Sequence, residues 1–186
     1  VMKPDVVCLQ ETKIPDAQFP YEELTELGYE AVHRGDGRWN GVAILSRVGI
    51  ERPVTDLPGV PGFPEDSGPP EPRFVAAVCG GVHVACVYVP NGRTLDNPHY
   101  IYKLRWLSAL HRYAAAPAAG DLPFAILGDF NVAPHDDDVW DMADFAGSTH
   151  VSEPERVAIQ QLENLGLTDL PPTISKGQPF TFWDYQ

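Results

Sequence analysis

The sequence predicts a layered α/β fold in which helices cover β-sheets. Short apolar runs rich in β-branched residues are typical of buried strands, and they occur at residues 6–9, 41–46, 74–79, 82–89 and 123–127. Longer segments with apolar residues at helical spacing lie between and after these runs. The loose alternation of strands and helices indicates sheets covered by helices.

The helices are identified from their spacing and their ends. Apolar side chains recur at helical spacing within residues 100–116, at Ile101, Leu104, Leu107, Ala109 and Leu110. A second helix is predicted at residues 154–165, with Glu153 near its start and Gly166 at its end. Residues 21–27 are weakly helical.

Glycine and proline mark the turns. The pair Gly80-Gly81 separates two strand-like runs and predicts a β-hairpin. The segment DLPGVPGFPEDSGPPEP, residues 56–72, is too rich in proline for a helix or a central strand, so it is predicted as a long loop.

Length and composition favour one domain. The chain has 186 residues, of which 44% are apolar, enough for one sizeable core, so residues 1–186 are predicted to form a single domain. The chain does not begin with methionine, and residues 180–186 resemble a strand that stops mid-course. We therefore expect a domain that is truncated at both ends.

The charge and the apolar pattern restrict the partners. A formal net charge of −13 argues against a protein that wraps nucleic acid through a basic surface, although an acidic surface can surround a cationic groove or a divalent metal. No apolar stretch is long enough to cross a bilayer and the start lacks a signal-peptide pattern, so we expect a cytoplasmic protein without a membrane partner. Cys8, Cys79 and Cys86 stand singly in apolar segments and are predicted to be buried free thiols.

The segment LGDFNVAP carries the first candidate chemistry. Side chains alternate along a strand, so Asp129 and Asn131 are expected on one face while Phe130 packs on the other. A carboxylate beside an amide can orient water against a phosphate. The alternative is an Asp/Asn turn that ends the strand. Glu11 follows the first strand and is a hard oxygen ligand suited to Mg²⁺, unless it is only a solvated residue.

Five segments in this order, DVVCLQETK, GVAILS, VYVPNG, LGDFNVAP and FTFWDY, resemble the exonuclease III family of apurinic/apyrimidinic endonucleases. This family belongs to the endonuclease/exonuclease/phosphatase superfamily, and the resemblance extends over nearly the whole chain. It implies a DNase I-like, four-layer α-β-β-α sandwich. Two mixed and largely antiparallel sheets, incomplete in this chain, would face each other, with the active site at one edge between them.

The resemblance also implies roles for individual residues. Glu11 would bind the metal, and Asp129 would orient or deprotonate the attacking water. Asn131 would contact the scissile phosphate, Tyr88 would bind or polarise it, and Asn91 would contact DNA. Without the resemblance, Tyr88 would be interpreted as a core residue.

The aromatic motif would receive the base-less sugar after it leaves the helix. Phe182 and Trp183 are the candidates, and Phe182 matches the family's pocket aromatic while the other ring would join the core. Lys13, Arg38 and Lys103 are candidate phosphate contacts or solvated surface charges.

Other polar groups are given structural roles. The run His135-Asp136-Asp137-Asp138 is predicted to start a helix and not to hold a metal. The six histidines show no metal-ligand spacing and are predicted to be structural or surface residues.

Some family elements are missing from the chain. The family also has an Asn-rich strand near its amino terminus, and an Arg-Asp strand and an Asp-His pair near its carboxyl terminus, which this sequence lacks. We therefore expect little or no nuclease activity from this stretch alone.

The predicted function is a monomeric, Mg²⁺-dependent DNA phosphodiesterase of base excision repair, with Mn²⁺ as the alternative ion. It would act on double-stranded DNA, cutting 5′ to abasic sites and trimming 3′ ends. Two alternatives stay open: a superfamily enzyme acting on a phospholipid or inositol phosphate, and a catalytically inactive binding domain.

Overall fold

The computed structural model describes residues 3–64, 69–170 and 180–182. One sheet contains three antiparallel strands in the order β1-β3-β2. They are β1 (Val6–Gln10), β2 (Glu30–Arg34) and β3 (Val42–Ser46). The runs predicted at residues 6–9 and 41–46 therefore form neighbouring strands.

The second sheet has the order β4-β5-β6-β7 and is mixed. Its strands are β4 (Glu51–Val54), β5 (Phe74–Cys79), β6 (Val82–Tyr88) and β7 (Phe124–Asp129). The first three are antiparallel, and β7 runs parallel to β6. The predicted hairpin at Gly80-Gly81 joins β5 to β6, and both glycines have positive φ, as a tight hairpin turn requires.

The two sheets pack face to face. A buried apolar cluster lies between them, contributed by both sheets: Val42, Ile44, Val75, Ala77, Cys79, Val84 and Cys86. All three cysteines are free, and Cys8 is the partly buried one. The interior between the sheets ends beside Tyr88, which packs against the cluster.

Helices cover both outer faces. α1 (Tyr21–Glu26) lies on the three-stranded sheet, where Leu24 and Phe19 pack on β3. α2 (Pro98–Ala118) and α3 (Glu153–Glu163) lie on the four-stranded sheet. The order of layers is helix, sheet, sheet, helix, which confirms the predicted four-layer sandwich. Among the described residues no helix is both long and apolar enough to span a bilayer.

Two strands were missed by the sequence analysis. β2 reads EAVHR and β4 reads ERPV, so neither presents an apolar run. Both are outermost strands of their sheets, and Pro53 is tolerated in β4 because an edge strand needs fewer ladder donors. The described parts of the predicted loop at residues 56–72 contain no helix or strand, but Leu57 is buried in the core beneath α2.

Candidate active site

The carboxyl ends of β1, β6 and β7 lie together at one edge of the facing sheets. β6 and β7 pair in a register that places Tyr88 opposite Asp129, and the Val89 N–H donates to the Asp129 carbonyl at 2.8 Å. β1 contacts both strands. Burial, and after it the negative charge of Glu11, raises the pKa of Tyr88 and of Asp129. The structure therefore brings Glu11, Tyr88 and Asp129 together from three strands.

Gly128 lets the end of β7 approach β6 closely. Its φ is +138°, and a Cβ at this position would lie 2.0 Å from the Val87 carbonyl oxygen. Because any side chain would collide with the backbone of β6, the glycine of LGDFNVAP is needed to place Asp129 beside Tyr88.

Asp129 and Asn131 form a hydrogen-bonded unit. Asp129 Oδ1 accepts from the Asn131 backbone N–H at 2.8 Å, and Oδ2 accepts from Asn131 Nδ2 at 3.1 Å. The same Nδ2 donates to the Val89 carbonyl at 2.9 Å. The turn considered as an alternative is thus present, and it directs both side chains to one place. Since both Nδ2 hydrogens are engaged, Asn131 here orients the Asp129 carboxylate.

Glu11 lies just after β1 on a strained backbone. Glu11 and Lys13 both have left-handed φ values, 54° and 55°. Lys13 Nζ lies 2.6 Å from Glu11 Oε2, and this hydrogen bond raises the pKa of Lys13. Left-handed backbone at non-glycine residues concentrates at functional sites, because it persists only where the surrounding structure enforces it.

The donor atoms at this edge fit a hard divalent cation. The Glu11 side chain is 46% exposed, and its negative charge raises the pKa of the nearby Asp129 carboxylate. Mg²⁺ takes one or two carboxylates and completes its shell with water. Within the described ranges no group of three or more His, Cys, Asp or Glu side chains could hold a metal. The Glu11 carboxylate is therefore a suitable donor for a hard divalent cation.

Arg73 supports Tyr88 and was missed by the sequence analysis. Its guanidinium lies 4.6 Å from the Tyr88 ring centroid, and it donates to the Tyr88 carbonyl at 3.3 Å. Glu71 fixes the other side of the guanidinium through a 2.7 Å ion pair. Arg73 is only 6% exposed, because it directly precedes the fully buried strand β5. This buried arginine therefore holds the tyrosine in place from the interior of the protein.

Asn91 joins the same network through the loop after β6. Its Nδ2 donates to Asn131 Oδ1 at 3.4 Å and to His150 Nε2 at 3.1 Å. Its own Oδ1 accepts from the Arg93 backbone N–H at 3.0 Å. Asn91, predicted from the motif, is therefore adjacent to Asn131, and His150 is a site residue that the sequence analysis placed among structural or surface histidines.

Phe182 lies against this histidine. The two ring centroids are 4.7 Å apart, and Phe145 packs edge-on to Phe182 at 5.6 Å. The predicted pocket aromatic is therefore adjacent to the Asn91 network. Trp183 lies outside the described residues.

The acidic run forms a 3₁₀ turn, Asp136–Asp138, and does not start the predicted helix, because the backbone is extended again at Val139. Asp138 Oδ2 accepts from the His135 N–H at 2.7 Å, and Oδ1 accepts from the Thr181 hydroxyl at 2.6 Å. The Asp138 carbonyl accepts from the N–H groups of Thr181 and Phe182 at 3.0 and 3.1 Å. This aspartate therefore docks the aromatic segment onto the site.

Lys103 is the candidate phosphate contact that the structure contradicts. It is fully buried and pairs with the equally buried Glu155. Its Nζ also donates to the carbonyls of Asn91 at 3.2 Å and Asn131 at 2.5 Å. Burial lowers the pKa of Lys103, opposed by Glu155. This lysine links the two loops that carry the site asparagines and reaches no surface.

The sequence model of the Endonuclease/Exonuclease/phosphatase family matches residues 2–185, almost the whole chain. The chain belongs to this family. Membership agrees with the geometry, since Glu11, Tyr88 and Asp129, to which the resemblance assigns site roles, lie at one edge of the sandwich. The family predicted from the five segments is confirmed.

Individual family members resemble the chain closely. Exodeoxyribonuclease III of Haemophilus influenzae is 30% identical over 202 residues, covering 99% of this chain and 72% of that protein. An AP endonuclease from Archaeoglobus fulgidus superposes with a TM-score of 0.84 at 33% identity, over 98% of this chain and 69% of the other. A Neisseria 3′ phosphatase bound to product DNA hairpin gives 0.88 at 35% identity, over 98% and 69% of the chains.

These similarities confirm the predicted enzyme class, a hydrolase of the exodeoxyribonuclease III type. They agree with the dependence on a divalent metal that is general in this family, to which the Glu11 edge adds a suitable donor set.

Proposed function

We propose that the protein is a Mg²⁺-dependent DNA phosphodiesterase of base excision repair, which incises duplex DNA 5′ to abasic sites and trims 3′ ends. The observation that carries this proposal is the convergence of Glu11 with the Asp129–Asn131 unit from two facing sheets. Metal-dependent hydrolysis of a phosphodiester uses one carboxylate that binds the metal ion and a second, oriented carboxylate that accepts a proton from water.

Asp129 is the group that accepts a proton from the attacking water. Its raised pKa makes it a stronger base than an ordinary aspartate, and Asn131 fixes the orientation of both oxygens. The free lone pairs of the carboxylate can then be directed at a water in line with the scissile bond.

The phosphate itself would meet Glu11, Tyr88 and Asn91. Glu11 would hold a divalent cation, which would supply positive charge to the phosphate oxygens. Asn91 Nδ2 donates to Asn131 through a long, 3.4 Å hydrogen bond, which is weak. A phosphate oxygen can therefore replace Asn131 as the acceptor of this N–H. Arg73 keeps the Tyr88 ring in place during this exchange.

A cationic side chain beside the Glu11 segment can contact DNA although the net charge of the chain is negative. Lys13 and Asn40 are joined by a 3.0 Å backbone hydrogen bond, which holds the loop of Arg38 and Trp39 beside the Glu11 segment. The Arg38 guanidinium lies 5.1 Å from the Trp39 ring centroid, and Trp39 is 65% exposed. An exposed cation stacked on an indole offers both a phosphate contact and a stacking surface to DNA.

The test uses the protein at the full length that its gene encodes. Duplexes with and without a single tetrahydrofuran abasic site are incubated with the protein in Mg²⁺, in Mn²⁺ and in EDTA. We expect incision 5′ to the abasic site with Mg²⁺, none in EDTA, and no internal incision of the control duplex, whose 3′ ends alone are trimmed.

Parallel arms separate the alternatives. Release of phosphate from inositol phosphates or phospholipids, with the abasic duplex uncut, would identify a different superfamily substrate. Binding of DNA without hydrolysis of any substrate in either metal would identify an inactive binding domain. Either result contradicts the proposed function.

A further inference from the structure

We propose that His150 is a positioning residue that couples the phosphate-facing amide of Asn91 to the aromatic wall at Phe182, and thereby favours base-less sites over ordinary 3′ ends. This inference rests on the proposed function, because it assigns a substrate preference to the same site. His150 is only 9% exposed and contacts both residues.

Three hydrogen bonds link His150, Thr149 and Asn91 in a closed ring. Asn91 Nδ2 donates to His150 Nε2 at 3.1 Å, so Nε2 is the unprotonated nitrogen. Nδ1 then carries the proton and donates to the Thr149 hydroxyl at 2.8 Å. That hydroxyl donates in turn to the Asn91 carbonyl at 3.5 Å. The side chain and the backbone of Asn91 are therefore both held through one imidazole tautomer.

The neutral imidazole is the form that these hydrogen bonds require. Burial, and after it the positive charge of Lys103, lowers the pKa of His150 to about 4. A protonated Nε2 would face the Asn91 N–H as a second donor. The ring therefore stays an acceptor for Asn91 at neutral pH.

The backbone holds the ring in this place. His150 has φ 75°, and its carbonyl accepts from the Ala133 N–H at 2.8 Å. Ala133 follows the Asp129–Asn131 unit, so the histidine is tied to the strand end that carries the candidate base. The imidazole then packs against Phe182 in a tilted arrangement, and Phe145 packs edge-on to the same ring.

Two functions thus meet in one side chain. The acceptor nitrogen keeps one Asn91 N–H occupied, which leaves the weakly bonded N–H for a phosphate of any DNA substrate. The ring surface keeps Phe182 in place, which matters only for a substrate whose base-less sugar enters the pocket. A merely structural histidine would affect all substrates equally.

Two variants of the full-length protein separate these functions. His150→Gln places an amide oxygen near the position of Nε2 and removes the ring, whereas His150→Phe keeps a ring and removes the acceptor. Neither introduces a β-branched side chain at the left-handed backbone. His111→Gln, about two turns beyond Lys103 on α2, is the matched control and should leave both activities unchanged.

The readout is kcat/KM for abasic-site incision and for removal of 3′ nucleotides. His150→Gln should lower abasic incision by about tenfold, the effect of one lost aromatic contact, while 3′ trimming stays near the unsubstituted value. His150→Phe should lower both by about 10- to 100-fold, the effect of an unsatisfied amide donor, with the preference retained. Equal losses on both substrates in both variants, or no loss in either, would overturn the proposal.

A measurement on the unsubstituted protein does not depend on how the variants fold. The ¹⁵N chemical shifts of the His150 ring should report a proton on Nδ1 and a bare Nε2 at neutral pH. A proton on Nε2 would overturn the coupling to Asn91. This result is independent of the proposed function, which fails separately if the full-length protein incises no abasic duplex.

Discussion

Replacement of Asp129 by asparagine in the full-length protein is expected to slow incision of an abasic duplex by about 10²- to 10⁴-fold, the usual contribution of a general base. The asparagine keeps an oxygen that can accept from the Asn131 N–H but cannot take a proton from water. The measurement is the single-turnover rate at saturating Mg²⁺, so that binding of DNA does not limit the rate.

The stability of this variant separates a catalytic loss from unfolding. The pKa of Asp129 is raised in the fold, by burial first, so the ionised carboxylate is less favourable in the folded chain than in the unfolded chain. The protonated form contributes stability below its unfolded pKa, and this contribution is lost as pH rises through the folded pKa. Removing the buried charge offsets the loss of the hydrogen bond that Asn131 Nδ2 donates to Oδ2, so the Tm at neutral pH should change little.

Asp121→Asn is the matched control. Asp121 is exposed and precedes β7 at the end opposite Asp129, so the same substitution there should alter neither rate nor Tm. If Asp129→Asn is unfolded at the assay temperature to an extent that accounts for its loss of rate, the assignment of Asp129 as the base is contradicted.

Replacement of Lys103 by methionine should give the largest loss of stability, about 3–5 kcal/mol in the free energy of unfolding. The substitution leaves Glu155 as an uncompensated carboxylate in the core and removes the donor shared by the Asn91 and Asn131 carbonyls. Chemical denaturation followed by fluorescence measures this loss.

The double variant Lys103→Met with Glu155→Gln should recover part of the loss, because no buried charge then lacks a partner. Lys13→Met is the exposed counterpart, since Lys13 is also paired with a glutamate but half exposed, and it should cost far less stability than Lys103→Met. Equal costs for the two lysines would show that the buried pair does not link the two loops.

The fold was predictable where strands are continuously apolar. β3 and β5 are buried along their whole length, so their sequences alone indicate core strands. β2 and β4 could not be identified in this way, because their side chains are partly exposed and their pairing is decided by β3 and β5.

The site was predictable where its residues follow strands. Glu11 and Asp129 occur where apolar runs end, and strand ends at one edge of a sandwich bring such residues together. Lys103 could not be predicted, because its burial depends on Glu155, which lies 52 residues farther along the chain. His150 follows no strand and shows no ligand spacing, so only its contacts with Asn91 and Phe182 reveal its place.

The most direct test of a shared site is a double-mutant cycle on incision, with Glu11→Gln, Asp129→Asn and the pair measured under single-turnover conditions in Mg²⁺. Residues that act as a unit give losses that do not multiply. We expect the pair to react at about the rate of the slower single variant. A fold-loss in the double variant equal to the product of the two single fold-losses would mean that Glu11 and Asp129 act independently. That result would contradict the convergence of the two residues on one site.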